Sequence, residues 1–332
     1  MKIKTARLGG WAAIFSATLA LSAVCGGTAD AQQYPTRTIT VIIPFAGGSA
    51  SDVVSRIMLD KMSKNMGQAI VVENRPGAGG NSGTLQGARS TPDGYTLIGG
   101  GSGPVAANLS LYNSLGYDPE KDFEPISLIG TQTNLLYTHP GSVPATTLPE
   151  FVAYVKANPG KLTFGSGGIG TPAHLAGELL KVEAGIEMTH APFRGTGQAL
   201  QSVIGGHVPV AFNPPSPLLP HLESGALRAI AVTTLQRTSA LPNVLTIAES
   251  GYPGFDAATW HAIVAPAAVP KDVLAALYNA LHETLNDAAT RKALTDLGVD
   301  VVDSSPDQLR AYIKSEIPKW AKVVKASGAK VE

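Results

Sequence analysis

The sequence predicts an α/β protein of two doubly wound domains joined by a hinge, and three observations carry that expectation. A strand, a glycine-rich turn and an amphipathic helix follow one another at residues 37–59 and again at 162–183. Around them β-branched runs alternate with helical segments, the pattern of parallel sheets whose ligands sit beyond the strand carboxyl ends. The grammar restarts after residue 134 and gives way to three helical segments after Pro266 and Pro270. This places a discontinuous first domain at 32–133 and 262–332, with an inserted second domain at 134–261. Two crossings between domains make a hinge, and the cleft between hinged domains is a natural ligand trap.

The continuous apolar run at 37–45 (RTITVIIPF) reads as a buried central strand. A turn at 46–51 leads to a helix that Asp52 is expected to cap. Residues 69–73 form the next strand, 74–83 a glycine-rich loop, 83–90 a helix, 95–99 a strand and 99–104 a third open turn. Apolar runs at 126–129 and 134–137 precede a helix to about residue 157, opened by the capping-box pair Thr147 and Glu150. In the second unit the strand 162–164 enters the turn 165–170, and Thr171 as N-cap with Pro172 at the first helical position starts a helix to about 183. Strands follow at 187–192, 208–212 and 229–233, with helices at 195–205 and 218–224. The strand 260–265 precedes helices at 271–286, 288–297 and 306–326, which are amphipathic and expected to pack on one of the two domains. No repeat of 20–50 residues occurs, which excludes a solenoid.

Lys2, Lys4 and Arg7, an apolar stretch at 11–24 and Ala29-Asp30-Ala31 make an export leader cleaved after Ala31. Its apolar run is too short to span a bilayer. Cys25 is the only cysteine; a lipid anchor there is the alternative, against which Ser22-Ala23-Val24 is a poor lipidation box. Cleavage leaves 301 residues without cysteine, with 22 basic against 24 acidic side chains. A cysteine-free exported chain fits a bacterial periplasm, and this balance argues against nucleic acid or an anionic membrane as partner.

The chemistry is concentrated in the two glycine turns. Each offers unpaired backbone N–H groups and the positive end of a helix dipole, which together hold an anion. Residues 165–170 (GSGGIG) also fit G-x-G-x-x-G, but Glu187 stands at the start of the next strand, where a ribose-binding acid would stand at its end. Tight strand–helix packing is the plain alternative for these glycines. Neither a nucleophile elbow nor a Walker loop occurs, and no two of the seven histidines form H-x-x-x-H, so neither a hydrolase nor a zinc site is indicated. His174 could reach a carboxylate or simply pack the helix start. Arg194 is the best cation to face an anion, with a salt bridge between elements as its other use. Phe45 and Trp260 either line the cleft or fill the core, and Asn213 is a further polar candidate.

Pro44-Phe45-Ala46-Gly47-Gly48 with Asp52, residues 73–81 (ENRPGAGGN), residues 92–97 (PDGYTL), the turn with His174, and residues 190–195 (HAPFRG) resemble, in this order, the Bug-type (TctC-like) solute-binding proteins of tripartite tricarboxylate transporters. The resemblance implies a periplasmic type II, Venus-flytrap clamshell that carries a small carboxylate to membrane permease subunits without a cofactor. It places first-turn contacts on Phe45, Ala46, Gly47, Gly48, Ser49 and Ala50, and second-turn contacts on Ser166, Gly167, Gly168, Thr171 and His174. Arg194 stands where the family commonly has lysine and Asn213 where it commonly has aspartate. Phe45 and Trp260 favour an aromatic mono- or dicarboxylate, followed by an aliphatic dicarboxylate or an acidic amino acid. A monomer is expected; a periplasmic enzyme and a ligand-loaded sensor partner are the alternatives.

Overall fold

The computed structural model describes residue 1 and residues 34–330; the leader's apolar core, its cleavage site and Cys25 lie outside the described residues. The β-branched run 37–45 forms strand β1, Ile39–Ile43, hydrogen-bonded in parallel to β2, Ile70–Asn74, and β3, Thr96–Gly101. Helix α1, Ala50–Met66, covers this sheet with Val54, Met58, Leu59 and Met62, and ends at Gly67 in the left-handed region. Helix α2, Asn81–Ala88, follows the second glycine-rich loop. Beyond β3 the third turn coils into an irregular helical turn, Gly103–Ala107, continued by the short helix α3, Asn108–Leu111.

The chain then runs through β4, Phe123–Gln132, into β5, Leu135–Thr138, the first strand of a second sheet. Helix α4, Leu148–Ala157, leads to β6, Thr163–Ser166, and α5, Pro172–Ala184. Strand β7, Thr189–Pro192, helix α6, Thr196–Ile204, strand β8, Val210–Asn213, the short helix α7, Leu219–Glu223, and strand β9, Arg228–Val232, complete this lobe. The chain returns through β10, Thr259–Pro266, and closes with α8, Lys271–Asn286, α9, Ala288–Asp296, β11, Val299–Val301, and α10, Pro306–Ser327.

The strand orders are β11-β4-β10-β3-β1-β2 and β7-β6-β8-β5-β9. Neither sheet is purely parallel, which corrects the expectation of parallel sheets. Strand β10 runs against β3 and β4, β11 against β4, and β5 against β8 and β9. The reason is topological: β5 and β10 are the strands that arrive from the other lobe, so no crossover helix fixes their direction.

Helix α8 packs on α1 and β4 and buries Val273, Leu277, Leu281 and Leu285, one stripe at four-residue spacing. The last helix departs from expectation, because α10 packs on both lobes, against β4 and against α5. Its Trp320 is fully buried, and one buried core runs from Leu309 and Trp320 of α10 to Phe164, Leu175 and Leu180 of the second lobe. Among the described residues no helix is long and apolar enough to cross a membrane.

Candidate functional site

Ser49, two residues past the exposed Gly47, is the N-cap of α1: its Oγ accepts the Asp52 N–H at 3.3 Å. Asp52 is therefore not the cap. Its buried carboxylate lies beneath the turn, accepting the Gly48 N–H at 2.8 Å, Arg56 Nε at 2.9 Å and Asn74 Nδ2 at 2.9 Å. Asn74 Nδ2 also donates to the Phe45 carbonyl at 3.0 Å. Burial works against the charge on Asp52, yet the hydrogen bonds from Arg56, Gly48 and Asn74, with the charge of Arg56, outweigh it and hold the carboxyl below its ordinary value. Gly48 has φ +79°, a conformation that a side chain would strain.

The second turn is built on neutral groups. Thr171 is the N-cap of α5, accepting the His174 N–H at 3.4 Å and donating to the Gly168 carbonyl at 2.7 Å. Ser166 Oγ accepts the Gly168 N–H at 3.2 Å and sits 2.7 Å from His190 Nε2. The Gly170 N–H donates to His174 Nδ1 at 3.2 Å, and the His174 and His190 rings pack tilted by 33° with centroids 4.1 Å apart. Burial, then the charges of His190 and Lys181, push the His174 pKa down to about 3; burial and Lys181 push His190 down to about 4. Both rings are thus neutral at physiological pH. Behind them Lys181 neutralises the buried Glu178 at 2.8 Å.

These turns face a cavity of about 110 Å³ between the lobes. The first lobe contributes Phe45, Ser49, Ala50, Ser51 and Gly101-Ser102-Gly103; the second contributes Gly170, Thr171, Pro172, Ala173, Thr196 and Pro214; Asn134, Thr259 and Trp260 close it where the chain crosses between sheets. Three helices of nine residues or more, α1, α5 and α6, begin at its wall. Among the described residues, no side chain in this lining is charged. An electropositive slot of neutral donors accepts an anion and disfavours a cation. A larger concavity of about 620 Å³ lies elsewhere, between the start of α4 and residues 243–250, with the Glu249 carboxylate in its lining.

Of the residues expected at the site, Phe45, Ser49, Ala50, Thr171 and Trp260 line the cavity. Ala46, Gly47 and Gly48 are exposed and outside its lining. Ser166, Gly167 and Gly168 are outside the lining, so the second turn reaches the cavity at 170–173, nearer the helix start than expected. His174 turns away from the cavity to hold the Gly170 N–H, the packing role that was its alternative. Arg194 is exposed, lines no part of the slot, and forms no ion pair among the described residues. Asn213 is fully buried and its Nδ2 holds the Thr196 carbonyl at 2.9 Å, which fixes the start of α6. Trp260 is fully buried, its indole N–H donating to Glu316 Oε2 at 3.0 Å.

Sequence reasoning missed Ser51, Ser102, Asn134, Thr196, Pro214 and Thr259. The glycine run at 99–104 was a usable signal for Ser102, and the Gly195-Thr196-Gly197 helix start for Thr196; Asn134 and Thr259 carry none.

Two mixed α/β sheets with a helix-ended slot between them define a solute-binding protein of the periplasmic-binding-protein fold. Residues 54–329 match the model of the tripartite tricarboxylate transporter family receptor, and the chain belongs to that family. It is 36% identical to Protein BugT of Bordetella pertussis over 96% of this chain and 97% of that one. Among solved structures, an R. palustris protein with adipate superposes with TM-score 0.81 at 33% identity, covering 89% of this chain and 98% of that one. MatC from Rhodopseudomonas palustris, with bound malate, gives 0.79 at 34% identity, with 88% and 100% covered.

Proposed function

We propose that this receptor works in the periplasm, after removal of its leader, where it closes its cleft on a small organic carboxylate and hands it to membrane permease subunits. The observation that carries the reading is the convergence of the α1, α5 and α6 N-termini on a slot with no charged lining. Each helix end contributes about 0.3–1 kcal/mol toward an anion, rising to about 2 where partly buried. The hydroxyls of Ser49, Ser51, Ser102, Thr171, Thr196 and Thr259 supply donors, and no histidine or carboxylate joins them in the lining to act as a base. That favours capture over catalysis.

An aliphatic dicarboxylate ranks ahead of an aromatic acid. Trp260 is committed to Glu316 and packs edge-on against Tyr312 at 5.5 Å, which leaves Phe45 as the partly exposed ring at the slot. The relatives solved with adipate and malate support the same class. A thermal-shift screen of refolded, ligand-stripped protein against mono-, di- and tricarboxylates, aromatic acids and amino acids tests it. A ligand at ~100 times its Kd adds about 2.7 kcal/mol, a shift readily seen. Hits confined to dicarboxylates support the reading; silence across every acid overturns it.

A further inference from the structure

The two lobes are joined by residues 133–134 between β4 and β5 and by residues 233–258 between β9 and β10. Buried hydroxyls stitch these passages together. The Asn134 N–H donates to Thr233 Oγ1 at 3.0 Å, and the Thr233 N–H donates to the Asn134 carbonyl at 3.0 Å. The Thr233 hydroxyl donates to the Ala257 carbonyl at 3.1 Å, while the Ala257 N–H donates back to the Thr233 carbonyl at 2.8 Å. Thr133 Oγ1 accepts the Thr234 hydroxyl at 3.0 Å. Thr133, Asn134 and Thr233 are at most 1% exposed. Buried polar groups in such a network are costly to leave unpaired, so each bond that lobe rotation breaks raises the free energy of opening.

One member reaches the slot. Asn134 lines the cavity, and its Nδ2 donates to Thr259 Oγ1 at 3.1 Å, at the foot of the returning strand β10. Its Oδ1 makes no hydrogen bond among the described residues. Thr233 and Thr234 lie outside the cavity lining. We propose that Asn134 is a positioning residue that passes occupancy of the cleft to the threonine network, so that this network sets how long a ligand is held. The proposal rests on the cleft being the ligand site. A ligand packed against Asn134 restrains a residue whose backbone is bonded to Thr233 of the second passage and whose side chain is bonded to Thr259 at the start of β10, and the lobes then part more slowly.

Stopped-flow binding of malate and adipate to wild type, N134A, T233V, T233S and the N134A/T233V double variant tests it. N134A and T233V should each raise the dissociation rate about tenfold, the scale of one lost buried hydrogen bond, with association changed less than about twofold. The double variant should be no faster than N134A, and T233S, which keeps the hydroxyl, should restore the wild-type rate. Acceleration by N134A without any by T233V would make Asn134 a simple ligand contact and overturn the proposal, as would independent multiplication of the two effects. Should T233V fail to fold, T234V carries the same test.

If neither acid binds wild type, these two acids are not its ligands, and the coupling is read in ligand-free protein. From Gln32 onward the chain has no cysteine, so K64C and K156C place a dye on an exposed position of each lobe. N134A and T233V should then broaden the interdye distance distribution equally; an unchanged distribution overturns the proposal.

Discussion

The turns before α1 and α5 present the same device to the slot, a hydroxyl N-cap on a helix start, but they rest on opposite foundations. Beneath the first lies a charged cluster in which Asp52 is held by Arg56, Asn74 and the Gly48 N–H. Beneath the second lie two neutral imidazoles, His174 and His190, packed against each other at a tilt and bonded to Gly170 and Ser166. On the proposed reading the anion-attracting part is the backbone, and the side chains behind it fix its shape. A charged and an uncharged foundation serve equally, yet they fail under different conditions.

Acidification should separate them most strongly. The histidines are depressed to about 3 and about 4 in the folded chain, so below their ordinary value of 6.5 the unfolded state binds more protons than the folded one. Stability therefore falls as pH drops from about 6.5 toward 4, by at most roughly 3 kcal/mol per histidine. Asp52, depressed below 3.8, loses its contribution only as pH falls below that value and through its folded pKa. Urea unfolding between pH 7 and pH 4 should show the summed slope of His174, His190 and the buried His261 of β10, which burial pushes down to about 4, and H190Q should reduce it by the share of one histidine. A stability independent of pH across that range would remove the neutral-histidine account.

Next in size is D52A, which strips three donors of their shared acceptor. A loss of about 2–3 kcal/mol is expected, since hydrogen bonds to a charged group contribute about 1.5–3. Ligand affinity should fall with it, and calorimetry on the folded variant reads both. The N-cap variants S49A and T171A should each cost about 1 kcal/mol by chemical denaturation, and similar losses at the two caps would confirm that the devices are equivalent. Smallest is R194A. With the guanidinium exposed and outside the slot, stability should move within about 0.5 kcal/mol and affinity by less than about twofold. A large loss of affinity would return Arg194 to the ligand.

What the sequence made legible was local. Thr171 followed by Pro172 announces a helix start without help from the rest of the fold, and the structure has both where expected. Ser49 with Asp52 three residues on resembles the same signal, but both residue types cap helices, and only the hydrogen bonds distinguish the cap from the residue in its first turn. Strand direction was not legible at β5 and β10, because it is fixed by the crossing between lobes and not by the residues of the strand. Strand β11 was missed because three residues paired at a sheet edge leave no periodicity to read. Asn134 and Thr259 meet across 125 positions of sequence, and the Trp260 indole finds Glu316 across 56; no local pattern encodes either pair. The straddling of both lobes by α10 was hidden for the same reason, since an amphipathic stripe shows that a helix packs but not on what.

The central claim is that helix ends and neutral donors, without a basic side chain, hold the carboxylates of the ligand. Calorimetric titration of the refolded protein with malate and adipate, each beside its diamide of the same length, tests it most directly. The account predicts saturable binding of the acids and a loss of at least about tenfold for the diamides, which carry no anion for the helix ends to hold. Equal affinity for an acid and its diamide would contradict it.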